Sequence, residues 1–155
     1  MKTKADEHHP GYRALMELLR TADTVWDASR RFFERWDLSP SQFNVLNLLH
    51  LEPQGLSQTD LSRQLIMHRS NVTGLVDRLE ARGLVQRQEV AADRRAYRVV
   101  LTPAGSRLLR DVLPRYYEAA ARVWDRVPAG HAEQMIINLR HVAEKAQQAV
   151  TDSAD

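Results

Sequence analysis

Within the 41 residues from Leu61 to Leu101, LSRQLIMHRSNVTGLVDRLEARGLVQRQEVAADRRAYRVVL, the chain changes its hydrophobic period from helix to strand. A short helical run is followed by a turn and a second helix from about His68 to Gly83. That helix carries Val72, Leu75, Val76 and Leu79 at i, i+3, i+4 and i+7, one apolar stripe on an otherwise polar surface. Gly83 followed by Leu84 suits a left-handed helix end with an apolar residue behind it. Leu84–Val90 and Tyr97–Leu101 are rich in strand formers and flank a hairpin loop over 91–96. Helix, turn, helix and hairpin in that order predict a winged helix-turn-helix, in a fold that is mainly α with a small β-hairpin wing (α+β).

The flanks are helical. Apolar residues recur at three and four from Gly11 to Trp36, after a polar tail over 1–10 that is expected to be flexible. Ser39-Pro40-Ser41-Gln42 starts a helix with a capping serine, a proline at the first helical position and a glutamine that closes a capping box. Phe43, Val45, Leu46 and Leu49 should face inward. Glu52-Pro53-Gln54-Gly55 is a turn, and Ser57 caps the helix opened by Gln58, Thr59 and Asp60. Thr102-Pro103 caps a long helix in which Pro114 predicts a kink; Pro128-Ala129-Gly130 ends it, and a last helix follows. The first helix and the last two carry more apolar surface than a central motif of about 60 residues can cover. Two chains packing their terminal helices as a two-fold dimer is the simplest solution, with packing inside one chain the alternative.

Charge supports a role for the motif. The 155-residue chain has a net charge of only +2, but from Ser62 to Arg98 eight arginines face four acids, a local net charge of +4 that leaves −2 for the remainder. Opposite the apolar stripe, helical geometry places Ser70, Gly74 and Asp77, flanked by Asn71, Thr73 and Arg78. Asn can pair with adenine, Ser and Thr read either base type, and Arg reads guanine or binds phosphate. Arg69 in the first turn can do either. Asp77 would repel phosphate and is expected to pair with a neighbouring Arg. Gly74 is unfavourable in mid-helix by about 1 kcal/mol, and either lets a nucleic-acid backbone come close or is a neutral choice. Arg94 and Arg95 at the hairpin tip suit a narrow minor groove, where the potential is most negative, with Asp93 placed to hold one of them. These residues, with His68 and Gln58, are the candidate contacts to double-stranded DNA.

Here the chain resembles the MarR family of bacterial transcription regulators. The likeness covers roughly residues 11–148 and is strongest in SPSQFNVLNLL, SQTDLSRQL, SNVTGLVDRLEARGLVQR and DRRAYRVVLTPAG. It implies one MarR-type domain over 11–148: a winged helix-turn-helix at about 39–103, and dimerisation helices at about 11–36 and 103–150. It implies an obligate homodimer of triangular shape on a pseudo-palindromic operator, usually repressing nearby genes, with His68–Arg82 in the major groove and Arg95 in the minor groove. His68 departs from the family's usual Ser or Thr cap; a ring nitrogen would cap instead or touch a phosphate. Many relatives are released by small phenolic or aromatic anions. The corresponding region here includes Trp26, Arg30, Trp36, His50, Tyr116 and Tyr117, where aromatic walls and an arginine suit an aromatic carboxylate; the same residues also suit ordinary core packing.

Other functions are disfavoured. There is no cysteine, so disulfides, thiolate metal sites and peroxide sensing by thiol are closed. His131 and His141 lie ten apart and His8-His9 fall in the tail, so neither a metal site nor a cofactor is expected. Gly-X-Ser-X-Gly, HExxH and a phosphate-cradling glycine loop are all missing, so an enzyme is not expected. No apolar run approaches the roughly 20 residues of a membrane span, and the N-terminus lacks an apolar signal core, so a cytoplasmic protein is expected. The main alternative to a ligand-responsive regulator is an architectural DNA-binding protein with no effector and little sequence preference.

Overall fold

The computed structural model describes the backbone of residues 9–65, 69–90 and 93–152, and their side chains except those of 69–70, 90, 93–96 and 150–152. Helix α1 (Pro10–Phe33) continues into a single 3-10 turn (Glu34–Trp36), followed by α2 (Pro40–Leu51), α3 (Gln58–Leu65) and α4 (Arg69–Ala81). Strands β1 (Val85–Val90) and β2 (Asp93–Leu101) form an antiparallel hairpin, and α5 (Pro103–Trp124) and α6 (His131–Asp152) complete the chain. The chain divides into two compact units, one up to Leu109 and one from Arg110 onward.

Local chemistry sets the boundaries. The Ser39 hydroxyl accepts from the Gln42 amide at 3.1 Å and the Gln42 side chain accepts from the Ser39 amide at 2.8 Å, the reciprocal box that starts α2. The Ser57 hydroxyl accepts from the Asp60 amide at 3.1 Å to start α3. Helix α4 ends where Gly83 turns left-handed at φ 66°, with Gly83 N–H donating to the Glu80 carbonyl and Leu84 N–H to the Leu79 carbonyl. Leu84 therefore belongs to the helix end, and β1 starts one residue later than its composition suggests. Thr102 caps α5 by accepting from Gly105 N–H at 3.1 Å while its hydroxyl donates to the Gly83 carbonyl at 2.6 Å. At Gly105 a Cβ would lie 2.1 Å from the Leu84 carbonyl oxygen, so only glycine lets this corner close. Helix α5 is continuous through Pro114.

The core of the first unit is the inner faces of α2, α3, α4 and the hairpin. Phe43, Val45, Leu46, Leu49, Leu61, Val72, Val76, Leu79, Val85 and Val99 are all buried. Phe33, at the end of α1, stacks on Phe43 with ring centroids 4.4 Å apart and ties α1 to α2. The hairpin has a third short edge that composition did not predict: Leu56 and Val99 exchange backbone hydrogen bonds of 3.0 and 2.8 Å. This links the α2–α3 loop to β2 and satisfies edge groups of the strand.

The hairpin differs from expectation in its tip. Strand β2 begins at Asp93, paired with Val90, rather than after a loop spanning 91–96. The pairing passes from Glu89↔Tyr97 directly to Val90↔Asp93, so Arg94, Arg95 and Ala96 form a bulge on β2 without Cα partners on β1. Backbone pairing carries the strand past its apolar segment, and the bulge takes up the residues that do not fit the register.

Candidate nucleic-acid interface

Helix α4 presents two chemically distinct sides. Val72, Leu75, Val76 and Leu79 are sealed into the core, while Asn71, Asp77 and Arg78 are exposed and Thr73 and Gly74 are half-buried between them. Among the described residues the nearest atom to a Cβ built on Gly74 is Arg78 Nη1 at 3.5 Å, ordinary contact. Arg69 and Ser70 occupy the first two positions of α4, but their side chains, like those of Arg94 and Arg95, lie outside the described set, as does all of His68.

Gln58 departs from the expected role of a surface contact. It is only 6% exposed, beneath α4, and its carbonyl oxygen accepts from the Thr73 hydroxyl at 3.3 Å and the Tyr97 hydroxyl at 3.5 Å. Its amide nitrogen is buried with no hydrogen-bond partner among the described residues. The first residue of α3 thus supports the polar side of α4 from below and joins it to β2.

A second tie fixes the hairpin to α4. The Arg87 guanidinium contacts both the Glu80 and the Asp77 carboxylates, the Arg87 amide donates to Glu80 at 2.9 Å, and the guanidinium lies 5.5 Å over the Tyr97 ring. Burial opposes the charge of Arg87, but the hydrogen bonds to Asp77 and then to Glu80 outweigh it and raise its pKa above the ordinary arginine value. Asp77 therefore has the cationic partner expected for it. Two acids of α4 are neutralised by β1, leaving the exposed Arg78 as the cation on this face, with no ion pair among the described residues. At the start of α3, a hydrogen bond from Ser57 lowers the pKa of Asp60, with burial opposing and Arg63 assisting.

Of the residues considered for an aromatic anion, two share a cavity in the first unit. Trp26 and Arg30 line a cavity of about 450 Å³ with Glu34, Asp37, Leu38, Ser39, Pro40 and Gln42. Trp36 instead packs 5.3 Å from Phe32 with Arg35 over its ring at 4.6 Å, and His50 is exposed near the end of α2. Tyr116 and Tyr117 lie in the second unit, their rings 6.3 Å apart.

Residues 36–96 match the model of the MarR family. CouR from Rhodococcus jostii RHA1, solved bound to p-coumaroyl-CoA, is 28% identical and superposes with a TM-score of 0.77 over 91% of this chain and 96% of that one. Over this stretch the chain is similar to the MarR family. The transcriptional repressor MprA of Escherichia coli K12 is 31% identical over 91 residues, 59% of this chain and 52% of MprA; the chain spans about half the length of that relative. Sco3205 of Streptomyces coelicolor, solved in complex with DNA, shares the fold with a TM-score of 0.82 over 94% of this chain and 90% of that one, at 24% identity.

The roles of Arg87 and Tyr97 were not foreseen from the sequence. Asp77 and Glu80, three apart on α4, are a detectable signal for a cation reaching α4 from β1. Nothing periodic in the sequence marks Tyr97 as a partner of Gln58, 39 positions away.

Proposed function

We propose that this chain is a homodimeric transcription regulator, a repressor, that acts in the cytoplasm on a pseudo-palindromic operator. The observation that carries the reading is the outward polar face of α4 on a fully sealed apolar stripe, braced from beneath by Gln58 and from the side by Arg87. Asn71, Thr73 and Arg78, with Arg69 and Ser70, would enter the major groove, Gly74 would admit the duplex closely, and Arg94 and Arg95 of the wing would reach the adjacent minor groove. A bulge at the wing residues is consistent with this, since bulges commonly re-aim side chains beside functional sites. His68 would meet a phosphate or cap α4.

The dimer is supported by the apolar residues that the terminal helices expose: Leu15, Leu19 and Trp26 on α1, and Met135, Ile136 and Leu139 on α6. We read residues 11–148 as one MarR-type domain, with the winged helix-turn-helix at 39–103 and the dimerisation helices at 11–36 and 103–150. Release by a small aromatic or phenolic anion is favoured by the cavity that joins Trp26 to Arg30 and by the p-coumaroyl-CoA bound to CouR. Among the described residues no helix is long and apolar enough to cross a membrane.

The test is fluorescence anisotropy of the protein on the intergenic duplex beside its own gene and on a shuffled duplex, at two salt concentrations. Preference for the intergenic duplex by about a thousandfold or more is expected. Equal and salt-sensitive binding to both would instead support the architectural reading, and no binding to either would remove DNA from the argument.

A further inference from the structure

The end of α1 and the end of α4 meet at one arginine. The 3-10 turn after α1 closes with Asp37 in the left-handed region at φ 51°, Asp37 N–H donating to the Glu34 carbonyl at 2.9 Å and Leu38 N–H to the Phe33 carbonyl at 3.3 Å. Such an ending leaves carbonyls without intrahelical donors. Arg82, the residue after α4, supplies them: its guanidinium donates to the Trp36 carbonyl at 3.1 Å and to the Asp37 carbonyl, with the Asp37 carboxylate 3.6 Å away. A planar fork suits two neighbouring carbonyls as no other side chain does. On the other side of the corner the Phe33–Phe43 stack clamps α1 to α2, so an aromatic contact and a guanidinium both help to hold the direction of α1 relative to α4.

We infer that Arg82 is a positioning residue for operator spacing. This rests on the reading proposed above, in which α1 contributes to the dimer and α4 reads a half-site. In a two-fold dimer the separation of the two α4 helices follows from the angle between α1 and α4 in each chain, and half-site spacing follows from that separation. Arg82 lies just beyond the last turn of α4, one turn after the exposed Arg78, with its guanidinium spent on the corner rather than offered to a ligand. It sets how far apart the two half-sites are read and leaves unchanged which bases are read.

The experiment is selection of bound duplexes from a library randomised over roughly three helical turns of DNA, about 30 bp, followed by sequencing. The full-length wild type, Arg82→Gln and Arg82→Lys are compared. Gln keeps one donor group and loses the fork and the charge; Lys keeps the charge and guards against a Gln variant that fails to fold. The expected result is the same half-site sequence for all three proteins and one sharp spacing for the wild type. Preference for that spacing over one longer by a base pair should fall at least tenfold in Gln and less in Lys. Unchanged spacing in a folded variant overturns the inference, and so does an altered half-site sequence. A salt dependence of binding reduced by about one phosphate would make Arg82 a backbone contact and also overturn it. A wild type that enriches no sequence removes the DNA reading itself, and is distinguishable from these outcomes because it appears before any variant is compared.

Discussion

Helices α4 and α6 carry stripes of similar apolar content with opposite fates. Val72, Leu75, Val76 and Leu79 of α4 are between 0% and 6% exposed, while Met135, Ile136, Ile137, Leu139 and Val142 of α6 are between 38% and 49% exposed. A stripe sealed by neighbouring elements stabilises its own unit at about 25 cal/mol for each Å² removed from water. An open stripe on a 22-residue helix gives nothing until something covers it, and most of a helix's stability in a protein comes from packing such a face. The polar side of α4 is therefore fixed by its own chain before any ligand arrives, whereas α6 calls for a partner. The proposed second copy would turn the same apolar chemistry from folding into assembly.

Breaking the open stripe has the largest expected effect. Ile136→Asp combined with Leu139→Asp should yield a monomer by light scattering and lower affinity for a two-half-site operator by about a hundredfold, since the second half-site is no longer tethered. A double variant that keeps the wild-type mass and melting temperature would show that α6 is not an interface, and the contrast with α4 would lose its meaning.

Sharpening the comparison needs one substitution on each stripe. Leu79→Ala empties a fully buried site in the first unit and should cost about 2–5 kcal/mol in urea unfolding at fixed protein concentration. Leu139→Ala should instead make the melting temperature depend more steeply on protein concentration, because what it weakens is association. Equal concentration dependence in the two variants would mean that both stripes serve the same unit.

The wing tie comes next. Replacing Arg87 with Met leaves Asp77 and Glu80, three apart on α4, as like charges facing β1. The guanidinium side chain is 22% exposed, so a partly screened loss of about 1–2 kcal/mol is expected in a thermal melt, with weaker operator binding as the hairpin loosens from α4. A melt within 0.3 kcal/mol of wild type would show that the hairpin is held by its apolar residues alone.

The sequence was most legible where structure is local. The capping box at Ser39 and Gln42, the Ser57 cap, the left-handed Gly83 and the α4 stripe all depend on residues within a few positions of one another. The pairing of Asp77 was legible because an acid on a cationic face needs a partner. The burial of Gln58 was not, because it depends on Tyr97 arriving from β2, and a glutamine opening a helix looks like a surface residue. The Arg82 corner was hidden for the same reason: its acceptors are backbone carbonyls 45 and 46 positions away, which carry no side-chain signature. The Leu56–Val99 bridge involves a single residue on one side, too short to leave a period. The bulge at 94–96 resembles a loop in composition, and only the register of its neighbours reveals a strand.

The smallest effect separates the two sides of α4 itself. Gly74 sits among the candidate contacts, yet among the described residues an alanine Cβ there meets only the end of Arg78 at 3.5 Å, an ordinary contact that the free protein should tolerate. Alanine is favoured over glycine in a helix by about 0.8–1 kcal/mol, and Gly74→Ala should therefore raise stability by roughly that amount in urea unfolding. If the surface above Gly74 admits a duplex closely, the same methyl group should lower operator affinity severalfold in anisotropy. Stability and binding would then move in opposite directions at one residue, a sign that the site is shaped for a partner at a cost to the fold. A variant that gains stability and binds the operator as tightly as wild type would make Gly74 an ordinary surface position and confine the reading face to its hydrogen-bonding neighbours Asn71, Thr73 and Arg78.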